Sequence, residues 1–426
     1  MRRLAFAAIA LLVIGCATYT SKMQHSREAF YDGHYEEAIE DLSKLLAEAK
    51  GSDHYLYRLE RGRIRLAAGQ YDSAIVDLQA AEERFSDIEG TISLSEEVSG
   101  ILINPTMGEY EPDNHEKIII NSYLLLAYWL RGDREGAIVE RNRIVGKLGT
   151  YINTLEEKDR DDFDIPFSRY LAALLYEVQG LEGDARIEYR RIGELYPEAV
   201  PPAVNPHLTE MAVFIDAGRA PVKVSREIRG YFNRDAGVLF GFFYYPGYDD
   251  PLVYNLGVAS TFSPDNLGVI FTFAFPQLIR DESIIHSYRV VIDGIDAGEA
   301  VLLDDFEETT VKTFNRKLGS ILIGAALRTT LKTLAQTKLK DEVGGVADIL
   351  GKAFSVVDRA DTRSWQTLPA EMFIYRLETT PGEHEVCVKY LDDCGNVVAV
   401  SRRISVMVER GGKGIVYFAS GVSGGG

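Results

Sequence analysis

Four times in the first half of this chain a glycine is followed five residues later by an alanine: Gly33/Ala38, Gly69/Ala74, Gly132/Ala137 and Gly180/Ala185. Each pair sits inside an amphipathic helical pattern. Small residues at this spacing let two antiparallel helices approach closely around a tight turn. A hairpin of this kind cannot cover its own apolar faces and must stack on its neighbours. The spacing therefore predicts an α-solenoid over residues 27–200, and such a stack has an inner wall on which something can bind.

Within the first unit Ala38, Ile39, Leu42, Leu45, Leu46 and Ala49 fall on one helical stripe. In the first two units an aromatic also follows the glycine, Tyr35 and Tyr71. These units lie 36 residues apart and resemble tetratricopeptide repeats, although Arg58 stands at the position where that family carries a first-helix tryptophan. The third unit is displaced by an interval, Phe85 to Lys117, that is expected to cross the surface as an ordered segment. Its first helix, Ile118–Leu130, is apolar on nearly every face and should lie at the centre; 13 residues are too few to span a bilayer. The acidic stretch from Glu156 to Asp164 lacks EF-hand spacing and is expected to be a solvated loop without metal. Pro201-Pro202 closes the helical half.

The N-terminus is a separate matter. Arg2 and Arg3 precede the apolar run Leu4–Ile14, which matches a secretory signal in length and charge. Val13-Ile14-Gly15-Cys16 resembles a bacterial lipobox, which implies removal of residues 1–15, lipidation of Cys16 and a short tether over 16–26. Ala17 after the cysteine resembles the outer-membrane sorting pattern. Export leads to an oxidising compartment. Two further cysteines, Cys387 and Cys394, flank a turn, leaving a local disulfide or two free thiols as alternatives.

The formal net charge is −18. Residues 17–200 hold 36 acids against 21 bases, whereas 201–426 hold 28 against 23. An acidic helical half argues against nucleic acid and anionic lipid as partners.

From about residue 208 the periodicity shortens toward two. Strands are expected at Met211–Ile215, Val269–Phe275, Tyr288–Ile292, Met372–Glu378, Glu385–Tyr390, Val397–Val408 and Lys413–Phe418. The alternation fits a sandwich-like β module over 208–306 and 358–426. A helical insertion over 307–357 interrupts it; its ten-residue apolar run, Leu318–Leu327, should pack on the sheet or the repeats, with an interfacial helix as the alternative. The fold class expected is thus α+β: a tetratricopeptide-like solenoid followed by a β-rich half.

The order of the lipobox, Glu116-Lys117-Ile118 with Tyr123–Tyr128, Arg169-Tyr170-Leu171, Gly218–Lys223 and Ala360–Glu371 resembles a family of bacterial tetratricopeptide lipoproteins. The resemblance covers nearly the whole chain. It implies no catalytic residue and no cofactor. In some genomes members are encoded near lipoproteins that activate penicillin-binding proteins, which implies an envelope setting by association.

No catalytic motif emerges. Gly421–Gly425 has the letters of a nucleophile elbow but no helix to follow the serine. The seven histidines include no pair at metal-ligand spacing. The function expected is a lipid-anchored, periplasm-facing adaptor that binds envelope proteins. Arg63, Tyr170 and Glu177 should line its groove, and Arg219, Lys223, Arg363 and Trp365 form a second candidate locus. Alternatives are a subunit of an outer-membrane export machine and an enzyme acting on peptidoglycan or another polysaccharide.

Overall fold

The computed structural model describes residues 18–49, 53–89, 110–156, 160, 163–235, 238–246, 249–255, 270–343 and 360–419. Cys16, most of the interval 85–117, residues 344–357 of the helical insertion and the C-terminal glycine-rich stretch lie outside them. The described residues form a mixed α+β protein, helical in the N-terminal half and sheet-rich in the C-terminal half.

Among the described residues the helical half forms four hairpins: α1 (Tyr19–Tyr31) with α2 (Tyr35–Glu48), α3 (Asp53–Ala67) with α4 (Tyr71–Glu89), α5 (Asn114–Leu130) with α6 (Arg134–Thr154), and α7 (Pro166–Val178) with α8 (Glu182–Leu195). The recurring glycine is the reason they turn alike. Gly33, Gly69, Gly132 and Gly180 have φ of 81°, 80°, 88° and 72°, a left-handed conformation that a side chain disfavours. Each is followed by a residue whose N–H reaches the carbonyl five positions back, as in His34 to Ala29 at 2.8 Å and Leu181 to Tyr176 at 2.9 Å, which satisfies an orphan carbonyl of the helix end. Ala38, Ala74, Ala137 and Ala185 are all fully buried. Asp113 and Glu116 form a capping box at the start of α5, and every residue from His115 to Trp129 is buried. The expected tether over 16–26 is not one: Thr18 already caps α1, and Met23 is wholly inside the core.

Three sheets follow. The first runs β13-β1-β9-β8, from β1 (Glu210–Ala217), β8 (Val301–Asp305), β9 (Glu371–Glu378) and β13 (Lys413–Ala419). Strand β1 pairs parallel with β13 and antiparallel with β9. Its residues are buried on both faces. Ala212 and Phe214 join the core of the helices, while Met211, Val213 and Ile215 join Val290 and Val388 of the second sheet. That sheet runs β11-β10-β6-β7, with β6 (Ser287–Ile292), β7 (Ile295–Glu299), β10 (Gly382–Leu391) and β11 (Val397–Val400), and β12 (Ile404–Val408) also on β10. The strand expected over 397–408 is thus broken in two; Ser401 bends it, donating its N–H to the Val388 carbonyl and accepting the Val388 N–H on Oγ.

The third sheet, β4-β3-β2-β5, comprises β2 (Val222–Asp235), β3 (Val238–Tyr244), β4 (Leu252–Asn255) and β5 (Phe271–Ile279). The sequence reading missed β2, β3 and β4. One helix, α9 (Phe306–Val343), covers one side of this sheet. Phe314, Leu318, Leu322 and Ala325 meet Ile228, Phe232, Phe243, Phe273 and Phe275. No described helix is long and apolar enough to cross a membrane. Cys387 lies on β10 and Cys394 in the following turn, and both are free thiols, so the local disulfide is not formed.

Candidate functional site

The inner wall of the helices is occupied by the chain itself. Arg63 and Tyr170 do face that wall, but they are 1% and 0% exposed. Arg63 donates to Asp216 of β1 at 2.6 Å. Tyr123 and Tyr417 donate to the same carboxylate oxygen at 2.7 and 2.6 Å. The guanidinium also lies over the rings of Phe30, Tyr123 and Tyr417, at 5.5, 4.8 and 5.4 Å from their centroids. Burial raises the Asp216 carboxyl, opposed by Arg63 and the two hydroxyls. This is a charge made tolerable by a partner and a cage of rings.

Glu177 is likewise enclosed. Arg376 of β9 clamps it at 2.8 and 2.9 Å and reaches Glu210 at 2.6 Å; Tyr189 adds a hydroxyl at 2.6 Å, and Lys413 closes on Glu210. A third tie is Glu60, which accepts the backbone N–H of Gln366 at 2.7 Å and of Thr367 at 2.9 Å, plus the Tyr19 hydroxyl at 3.0 Å. Burial pushes the Glu60 carboxyl up to about 7, although those donors oppose the shift.

The segment around Trp365 is part of the same seam. Trp365 is 1% exposed and donates to Thr367, while Arg363 is held by Asp361 at 2.7 Å and Asp53 at 3.5 Å. Arg219 stacks over Tyr31 and pairs with Asp281, and the Lys223 carbonyl accepts from Thr20. The expectation that Arg63, Tyr170, Glu177, Arg363 and Trp365 present a surface to a partner is therefore corrected: all five side chains are buried where the two halves of the same chain meet. Arg219 and Lys223 remain half-buried. Sequence reasoning missed Asp216, Glu60, Arg376 and Lys413, because nothing local marks which strand residue will face a buried arginine.

Groups that could do chemistry are few among the described residues. Thr379 Oγ lies 3.2 Å from His384 Nε2, and His384 Nδ1 is 2.7 Å from Asp293. Yet Nε2 also lies 2.8 Å from the Thr380 carbonyl, which can only accept. That nitrogen carries its own proton, so it cannot take one from Thr379. The Thr380 carbonyl and Asp293 raise the His384 pKa, and the ring ties the ends of a hairpin together. Asp392, Asp393 and Cys394 bring possible metal-ligand atoms together on an exposed turn. There Asp392 accepts the N–H of Cys394 and Asn396 at 3.0 and 2.7 Å, the pattern of a turn that organises itself.

The side of β4-β3-β2-β5 away from α9 is different in kind. Residues opposite α9 alternate with it, so Arg229, Tyr231 and Asn233 of β2 share a face with Phe240, Phe242 and Tyr244 of β3 and with Val253 of β4. Tyr231 and Phe242 are cross-strand partners with parallel rings 4.7 Å apart. Tyr244 lies 6.5 Å from Tyr231 and is 50% exposed; Val253 is 52% exposed. A signal for this was present in Phe240-Gly241-Phe242-Phe243-Tyr244-Tyr245, where both alternations are aromatic. A strand apolar on both faces needs two covers, and among the described residues α9 supplies one. Comparison with protein-family models, with curated proteins and with solved structures finds no match for this chain.

Proposed function

We propose that this chain is a lipid-anchored cell-envelope adaptor whose docking surface is the aromatic face of the β4-β3-β2-β5 sheet, not the inner wall of its helices. The carrying observation is the stacked Tyr231–Phe242 pair beside the half-exposed Tyr244 and Val253. Rings interleaved with Arg229, Asn233 and Asn255 have the composition of a protein interface, where aromatics supply area and polar groups fix orientation. The net charge of −18 disfavours an anionic bilayer as occupant. The repeated glycine turns support a tetratricopeptide-like array, and the core shared by the first two sheets supports a sandwich-like β module. On this reading the repeats are a frame that holds the β-rich half.

The lipobox resemblance fits this placement. Cys16 precedes the α1 cap, Thr18, by two positions, and the Thr20 hydroxyl donates to the Lys223 carbonyl at 2.7 Å. From Lys223, strand β2 carries Tyr231 roughly 26 Å further at ~3.3 Å per residue. A lipid on Cys16 thus holds the aromatic face within reach of a protein on the same membrane, in a setting of envelope assembly.

A photo-crosslinking residue in place of Tyr244, in cells, tests this. The expected result is a discrete protein adduct that disappears when Tyr231→Ser and Phe242→Ser are combined, with palmitate labelling of Cys16 retained. An adduct that persists in the double variant, or crosslinks to lipid alone, overturns the assignment.

A further inference from the structure

A separate cavity of about 310 Å³ opens where α7, the Pro201-Pro202 linker, β8 and β9 converge. It shares no residue with the aromatic face. Val200, Pro201, Leu208, Val301, Ile374 and Leu377 give it apolar walls. Its size and lining are those of a small-molecule site, where an apolar body is buried and a few polar groups set its orientation.

Two polar features stand out. The first is Tyr170, which lines the cavity and is fully buried, with a hydroxyl that finds no acceptor among the described residues. Its ring is fixed edge-on by Tyr189 and Phe214, with centroids 5.3 and 5.7 Å away. The Arg376 guanidinium beside it offers only donors. Both carboxylates close by, Glu177 and Glu210, are already engaged by Arg376. The Tyr170 proton therefore lacks an acceptor. Buried hydroxyls rarely stay so, and a guest carrying an acceptor atom would complete it.

The second feature is charge. Glu198, Glu299 and Glu378 also line the opening. Glu299 has Arg289 at 4.0 Å, but Glu198 and Glu378 pair with no basic side chain among the described residues. Deeper in, the acids Glu177 and Glu210 are balanced by Arg376 and Lys413, so the rim sets the sign of the field. It favours a cation and repels an anion of the same shape.

We infer that this cavity is a binding site for a compact amine. The apolar body fills the walls, a hydrogen-bond acceptor at its inner end takes the Tyr170 proton, and the ammonium rests between Glu198 and Glu378.

Tyramine is a suitable probe, since its phenol oxygen and its ammonium stand at opposite ends of one ring. Phenethylamine lacks the acceptor, and 4-hydroxyphenylacetate reverses the charge. Calorimetric titration of the full chain should give saturable one-to-one binding of tyramine, several-fold weaker binding of phenethylamine and none of the anion. Tyr170→Phe should bring tyramine down to phenethylamine, and Glu378→Gln should weaken both amines. Ala203→Trp, at an exposed position of the lining, should plug the opening and abolish binding with thermal melting unchanged. Absence of tyramine binding to the wild type, equal binding of the anion, or full binding by the Ala203→Trp chain overturns the inference.

Discussion

Arg63 of α3 and Asp216 of β1 meet at 2.6 Å in the interior, 153 positions apart in sequence. Neither is more than 2% exposed. Asp216 gathers Arg63, Tyr123 and Tyr417 onto one oxygen, so one carboxylate joins two helical hairpins to two strands. Removing either charge strands the other without water. Arg63→Ala and Asp216→Ala should each destabilise the protein by about 3–5 kcal/mol, and the double variant should cost clearly less than their sum. Urea denaturation of the four chains measures this. Additive losses would mean the two residues do not act as a pair.

Glu60 should give stability a specific pH dependence. Its folded carboxyl is raised from 4.5 to about 7. Between those values the folded state holds a proton that the unfolded state has released, so stability falls as pH rises through this window. The loss is on the order of 3 kcal/mol across it. His115 works in the opposite sense: burial lowers it from 6.5 to about 4, so the unfolded chain binds the extra proton and stability rises with pH there. The Glu60 contribution is isolated by difference. Urea midpoints of the wild type minus those of Glu60→Gln should decline from pH 4.5 to 7, and a flat difference would exclude the effect.

The repeat alanines should resist added bulk. Ala137 and Ala185 are fully buried, and replacing either by leucine should cost about 1–3 kcal/mol through strain. Asp133 sits at a turn and by position alone looks tolerant of change. Instead it caps α6, accepting the Gly136 N–H at 2.9 Å. Asp133→Ala should therefore cost about 1 kcal/mol. Thermal melting of the three variants checks the order, and equal tolerance at all three would remove the packing argument.

Much of the helical half was legible because its signals are local. A glycine at a helix end, an alanine five residues on and an apolar stripe each act within one or two turns of chain, and the structure places all four pairs where the spacing implied. Strands β1, β9, β10 and β13 were also legible, since alternation is a property of consecutive residues. The run β2-β3-β4 escaped because its aromatic residues occupy both faces and its charged ones interrupt the period. The tether expected over 16–26 failed for another reason. A weakly patterned helix such as α1 is stabilised by Tyr57 and Glu60 on α3, which contact Tyr19, and tertiary partners of that sort leave no mark in the sequence around it.

What lines the inner wall was decided by the tertiary structure alone. The sequence placed Arg63, Tyr170 and Glu177 on that wall by helical phase, which is a local quantity. Whether the wall is open or filled depends on β1, β9 and β13 arriving from the other half of the chain. Asp216 and Arg376 look like ordinary polar strand residues until the fold sets them against Arg63 and Glu177. A buried charge is stable only beside its counter-charge, and the counter-charge is chosen by topology. The same sequence thus determined the hairpins by itself, while the sealing of the inner wall belongs to the long-range contacts.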